Sequence, residues 1–215
     1  MASRWKQGSF RNKAPARKAL MSPYELTAVA FSLACVLLAL REHVLTWPAG
    51  LIGVAAYFLV FKDARLYADM VLQVIFFAQG VYGWAYWSRR RRGSLTSDSR
   101  DQYVPIRSLS ARGRLVTVVA ICLLALAVGS ALAQWTDASA PYVDSTLSSL
   151  SLVANALLAR KLIENWIAWV VADVGYIGLF MWKGLGLSAA LYVLFLALAV
   201  AGWLRWRREM RAGSP

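Results

Sequence analysis

Hydrophobic positions in this chain come in long unbroken runs, without the alternation of a half-buried strand or the narrow stripe of a surface helix. Seven runs can be read. They are 24–40 "YELTAVAFSLACVLLAL", 47–61 "WPAGLIGVAAYFLVF", 67–87 "YADMVLQVIFFAQGVYGWAYW" and 115–135 "LVTVVAICLLALAVGSALAQW". The rest are 145–159 "STLSSLSLVANALLA", 165–182 "NWIAWVVADVGYIGLFMW" and 187–204 "LSAALYVLFLALAVAGWL". A helix needs about 20 apolar residues to cross the hydrocarbon core, with roughly 17 as a lower limit. The shorter runs require tilt or a shielded place in a bundle. The pattern predicts an all-α membrane protein with seven transmembrane helices.

The runs are also related to one another. Sliding the chain by 119 residues lays 46–87 on 165–206 without a gap and gives 13 identities in 42 positions. Leu, Val and Ala matches are expected by chance in apolar sequence. The pairs Trp47/Trp166, Trp84/Trp203 and Trp87/Trp206 are much harder to produce that way, and Tyr57/Tyr176, Phe61/Phe180 and Gly83/Gly202 join them. The same offset carries the first run onto the fifth, with Arg41 on Arg160 just after each. This divides the chain into a basic N-terminal tail at 1–23, a first triple-helix repeat at 24–88 and a basic cytoplasmic loop at 89–113. A linker helix at 114–135, a second triple-helix repeat at 143–206 and a basic C-terminal tail at 207–215 complete it. One linker helix returns the second triplet to the membrane in the orientation of the first, so the expected plan is 3+1+3 parallel repeats with a site at their interface.

Composition agrees. The chain is 59% hydrophobic, above the ~45–50% of a soluble domain, and its mean hydropathy is +0.50. The net charge of +13 would suggest nucleic acid in a soluble protein; here the charges lie in tails and loops, so no nucleic-acid partner is expected. With the N-terminus outside, 15 Lys and Arg fall on the inner side and 9 on the outer. The positive-inside rule therefore predicts a multi-pass membrane protein, N-out and C-in. The basic N-tail argues the other way. That tail leads into a full-length span with no small-residue cleavage site, so it does not read as a signal peptide. The segment 136–144, "TDASAPYVD", reads as an outer loop. Cys35 and Cys122 fall inside spans and read as small buried hydrophobes. The single histidine, His43, lies in a short loop. No nucleophile–base pair, phosphate-cradling glycine loop or metal-ligand cluster is present in the sequence. Neither an enzyme nor a cofactor is expected.

An ionised carboxylate at the centre of a span costs ~2.5–3.5 kcal/mol on insertion scales and marks a functional position by default. Asp173 is the clearest case. Trp166, Trp169, Asp173, Tyr176 and Phe180 follow steps of three and four, which places them on one helical face. The alternatives are a packed seam with Asp173 bonded to a neighbouring helix, or a pocket with aromatic walls and one anionic anchor. Such a pocket suits a flat cationic or strongly polar ring. The third run adds Asp69 and Gln73 one turn apart. Gln73 falls opposite Tyr192 at the 119-residue offset, so the two halves place different groups at one position. Asp69 lies nearer a helix end and reads equally as a cap. Asn155 is either interhelical glue or pocket lining. Trp84, Trp87, Trp203 and Trp206 lie near basic flanks and read as interfacial belt residues. Asp173 has no acidic twin, since its partner is Val54, whereas Trp166 and Tyr176 have twins in Trp47 and Tyr57. Shared aromatics thus read as scaffold and pocket wall, and the unshared carboxylate as the substrate-reading element.

The stretches "LTWPAGLIGV", "RLYADMVLQVIFFAQGVYGWAYW" and "ENWIAWVVADVGYIGLFMWKGL" resemble the PnuC family of bacterial nicotinamide riboside transporters. With the 3+1+3 layout the resemblance covers most of residues 24–206. It implies a SWEET-like fold, usually a homotrimer with one path per protomer. It also implies facilitated diffusion of a vitamin-like substrate that a cytoplasmic kinase traps by phosphorylation. In this family the helix-six tryptophan and the polar residue four positions later contact substrate; they map to Trp169 and Asp173. Asn165 belongs to the Glu–Asn–Trp start of that helix. One departure stands out, since nicotinamide riboside members commonly carry asparagine where this chain has Asp173. Thiamine, riboflavin or a nucleoside is the alternative cargo, possible coupling to protons is a further alternative, and an ionised Asp173 argues against neutral riboflavin.

Overall fold

Each apolar run forms a helix. The computed structural model describes residues 23–63, 67–93, 105–136, 140–182, 184 and 186–212. The basic N-terminal tail and residues 94–104 of the central loop lie outside the described residues. The helices are α1 Pro23–Leu40, α2 Thr46–Asp63, α3 Tyr67–Gly93, α4 Ala111–Trp135, α5 Pro141–Ala159, α6 Glu164–Trp182 and α7 Gly186–Ala212. Four of them, α1, α4, α6 and α7, are long and apolar enough to cross a membrane by length and composition. The outward face of α4, with Leu115, Val116, Leu123 and Leu126, is exposed and apolar, as a lipid-facing surface must be.

Helix ends differ from the sequence reading where polar residues continue a helix. Residues 89–93 extend α3, and α7 continues to Ala212, where Arg205 and Glu209 form an i,i+4 ion pair (Nε–Oε1 2.9 Å). Long straight-chain side chains are good helix formers, so loss of apolar pattern does not end a helix there. The α5 helix begins at Pro141, inside the segment read as an outer loop. Proline suits a first helical position because its missing N–H is unbonded there anyway.

The packing order is α1 on α2, α2 on α3, α3 on α5, α5 on α6, α6 on α7 and α7 on α1, with α4 set outside against α5. Six helices thus form a closed ring. Positions 119 apart in this ring share geometry. Trp47 meets Trp87 edge-on at 5.4 Å and 88°, and Trp166 meets Trp206 at 5.5 Å and 90°. Tyr57 stacks on Phe61 at 5.8 Å, and Tyr176 on Phe180 at 5.9 Å. A Cβ placed on Gly83 would overlap the Trp47 ring, and one on Gly202 the Trp166 ring. Glycine is needed at both positions because each indole lies flat on the backbone of the neighbouring helix.

These contacts correct the reading of two tryptophans. Trp87 and Trp206 are 5% and 0% exposed; they form the core with Trp47 and Trp166, packed among Ala39, Leu158, Ala159, Ile163 and Ala199. Trp84 is exposed, and Trp203 packs only against the rim of that core. Nearness to basic residues gave a depth along the helix and no information on which way each ring points. Cys122 also departs from expectation. It is exposed, because α4 has a single neighbour and leaves most of its surface to lipid.

The segment before α4 is fastened to the start of α6. Arg107 N–H donates to Lys161 O (3.0 Å), and Ile163 N–H donates to Arg107 O (2.9 Å). Glu164 Oε1 accepts from Ser108 Oγ (2.8 Å), Leu109 N–H (3.0 Å) and Arg114 Nε (3.1 Å). Removing that acceptor in Glu164→Ala strips a partner from each donor, at about 1 kcal/mol or more per bond. Hydrogen exchange at Leu109 should then accelerate about fivefold or more, and an unchanged rate would show that Glu164 does not hold the segment.

Candidate substrate site

Asp173 is 4% exposed within the bundle. Among the described residues its carboxyl group has no ion pair or hydrogen bond, and the Tyr192 phenol of α7 is a polar group within electrostatic reach of it. A cluster of aromatic side chains begins one turn further along α6, at Tyr176. Tyr176 and Tyr192 approach to 4.6 Å between centroids, Phe180 lies 5.3 Å from Tyr192, and Phe195 meets Tyr192 edge-on at 5.7 Å. The Tyr192 hydroxyl is within electrostatic reach of Tyr176, Tyr57 and Asp173. Tyr57 belongs to α2, on the opposite half of the ring, and is itself within reach of Glu25 at the start of α1. Tyr192 of α7 thus lies against Tyr176 of α6 and within electrostatic reach of Asp173 of α6 and Tyr57 of α2.

Chemically, this is a site for a ring with polar substituents. The phenols present π faces and hydroxyls that both donate and accept, while the carboxylate accepts only. An organic cation would supply the charge that the carboxylate lacks.

Other candidates divide between this site and the surrounding frame. Trp169 is half-buried, packing against the tryptophan core one turn from Asp173. Gln73 is buried at 9% exposure on α3, while the side chain of Asp69 lies outside the described residues. Trp47, Trp166 and Asn165 are sealed in the core at 4%, 2% and 0% exposure. Asn165 Nδ2 donates to Leu162 O at 2.6 Å and so secures the turn into α6; in this conformation it faces no open space. Asn155 resolves as glue. Its Nδ2 donates to Gln79 Oε1 (2.9 Å), and Gln79 Nε2 donates to Leu152 O (3.1 Å), which ties α3 to α5. Gln79 escaped the sequence reading although it is a mid-span amide like Asn155.

The charged pair at the helix turns was missed as well. Glu42 and Lys161 are 8% and 3% exposed, and Lys161 Nζ lies 2.5 Å from Glu42 Oε2. Burial, and then the neighbouring Glu209 carboxyl, hold the Glu42 carboxyl up to about 7, while Lys161 pulls it down. Burial likewise lowers Lys161 against the pull of Glu42. Loop charges are ordinarily solvated, so only their shared register, 119 residues apart, could have drawn attention to them.

A bundle of apolar-faced helices closed into a ring, with a buried carboxylate on α6, defines a multi-pass membrane protein. The chain belongs to the nicotinamide mononucleotide transporter family, whose model matches residues 22–208. It is 28% identical over 212 residues to the nicotinamide riboside transporter PnuC of Escherichia coli K12, covering 89% of this chain and 87% of that one. It is also 27% identical over 190 residues to the riboflavin/roseoflavin transporter RibM of Streptomyces davaonensis, covering 83% and 84%. The crystal structure of the vitamin B3 transporter PnuC superposes with a TM-score of 0.68 at 22% identity, over 87% of this chain and 82% of that one. That likeness is one of fold.

Proposed function

We propose that this protein carries nicotinamide riboside, or a vitamin of the same cationic aromatic kind, across the bacterial inner membrane by facilitated diffusion. The observation that carries the reading is the buried Asp173 carboxyl, paired with no cation among the described residues and within reach of Tyr192, which in turn lies against Tyr176 and within reach of Tyr57. A pyridinium ring would stack on the aromatic walls while its charge pairs with Asp173 and its ribose hydroxyls reach the phenols. The names of the relatives support the substrate class. Net import follows if a cytoplasmic kinase phosphorylates the cargo once it has entered. All seven helices span the membrane in this reading, as two SWEET-like parallel triple-helix repeats joined by α4. The matched tryptophan and tyrosine pairs 119 residues apart and the closed order of helix contacts support that arrangement. The arginine-rich loop and C-terminal end lie in the cytoplasm, and the working unit is a homotrimer with one path per protomer.

Riboflavin is the second reading, favoured by the likeness to RibM, and thiamine the third, because it too is cationic and aromatic. Proteoliposomes without a kinase should equilibrate labelled nicotinamide riboside and should not concentrate it, with or without a pH gradient. Trp169→Ala should weaken binding about 2- to 30-fold, the equivalent of one cation–π contact of ~0.5–2 kcal/mol. Saturable flux of riboflavin alone would reassign the cargo, and no flux of any of the three would overturn the reading.

A further inference from the structure

Helices α1 and α5 end in the same way. His43 N–H donates to Leu38 O, and Leu162 N–H donates to Leu157 O, closing each helix with a left-handed residue. Those residues are Glu42 at φ 51° and Lys161 at φ 53°. Glycine is favoured at such a position because it has no Cβ. Here the chain places two charged residues there, at a cost in backbone energy, and buries both. They occupy the same register in the two halves, and they bond to each other.

The pair sits on a plug. Lys161 Nζ lies 4.7 Å over the Trp87 ring, and Trp87 Nε1 donates to Ala159 O at 3.0 Å. On the other side Glu42 lies beside Glu209 of α7, which Arg205 holds at 2.9 Å. One chain of contacts thus joins α7, the α1–α2 turn, the α5–α6 turn and α3. Beyond it, Trp47, Trp87, Trp166 and Trp206 fill the ring. The indole N–H groups of Trp47, Trp166 and Trp206 are buried without an acceptor among the described residues. Unused donors in a closed core are what a second, rearranged packing would satisfy.

We propose that the Glu42–Lys161 pair is the latch of the gate at this end of the transport path, holding the tryptophan plug shut until the two turns separate. The proposal rests on the transporter reading above. Desolvation offsets much of a buried pair's attraction, so the contact fastens the two halves without locking them permanently. The turn bearing Lys161 is also stitched to the segment before α4 through Arg107, so movement of the latch is passed to the linker helix.

The test uses full-length protein in proteoliposomes, with Cys35→Ala and Cys122→Ala, and Ala199→Cys as a reporter inside the plug. A membrane-impermeant maleimide, applied to the side bearing the two turns, should label this reporter slowly. Glu42→Gly with Lys161→Gly removes both charges and gives each left-handed position its favoured residue, so the fold is preserved. Labelling should then accelerate about tenfold or more. The exchange Glu42→Lys with Lys161→Glu should restore slow labelling, because unlike charges again meet between the two turns and the new lysine lies beside Glu209. Unchanged labelling in the double glycine variant, or an exchanged pair as fast as that variant, would overturn the latch. Because the readout needs no vitamin, a failure of the substrate reading leaves it intact.

Discussion

Replacing Asp173 by alanine is expected to weaken vitamin binding about 10- to 100-fold while leaving the empty protein as stable as before or more so. A hydrogen bond to a charged group contributes about 1.5–3 kcal/mol, and, whereas Glu25 lies within reach of Tyr57, Asp173 is the carboxylate within reach of Tyr192. The same carboxylate is costly when no ligand is bound, by ~2.5–3.5 kcal/mol on insertion scales. Binding and stability should therefore move in opposite directions, a separation common where a site is held strained for function. Thermal melting with and without nicotinamide riboside reads both quantities on one sample. Asp173→Asn keeps the acceptor and removes the charge. It should retain binding of a ribose-bearing cargo better than alanine does. Loss of melting temperature in the empty alanine variant would mean that Asp173 holds the bundle together and does not read substrate.

The second large effect is expected at a residue with no side chain. In Gly202→Ala the new Cβ would lie 2.7 Å from three carbons of the Trp166 ring. That ring is fixed edge-on against Trp206 and cannot step aside cheaply. Overpacking of this kind costs about 1–3 kcal/mol. Gly83→Ala should produce a similar loss through Trp47, and the double variant should depart from the sum, because the two indole pairs share one core. Unfolding in detergent measures the losses. Strongly unequal losses would show that the two halves do not share one packing solution.

Helix positions were legible because apolar length is a one-dimensional property. Ring closure was partly legible, since the 119-residue register pairs Trp47 with Trp166 and Trp87 with Trp206, though it does not say that Trp47 meets Trp87. The misreading of Trp87 and Trp206 has that origin. Depth can be read from flanking charge, but azimuth depends on which helices become neighbours. Asp173 stood out by the cost of its charge alone. The tyrosines required the fold, since Tyr192 comes from α7 and Tyr57, within reach of Tyr192, from a helix more than a hundred residues away. Asn165 shows the converse: an amide next to the key tryptophan served the turn geometry instead of facing open space.

The buried pair between the turns also bears on descent and assembly. Were two identical first halves to associate in the same manner, Glu42 would confront another Glu42, and two copies of the second half would set Lys161 against Lys161. Each combination would bury like charges at the tightest point of the assembly, whereas the unlike halves neutralise each other there. A duplicated half-protein built from either segment should therefore assemble poorly. A chain cut within the central loop should reassemble only from its two different fragments, so the pair serves as an identity tag for the halves.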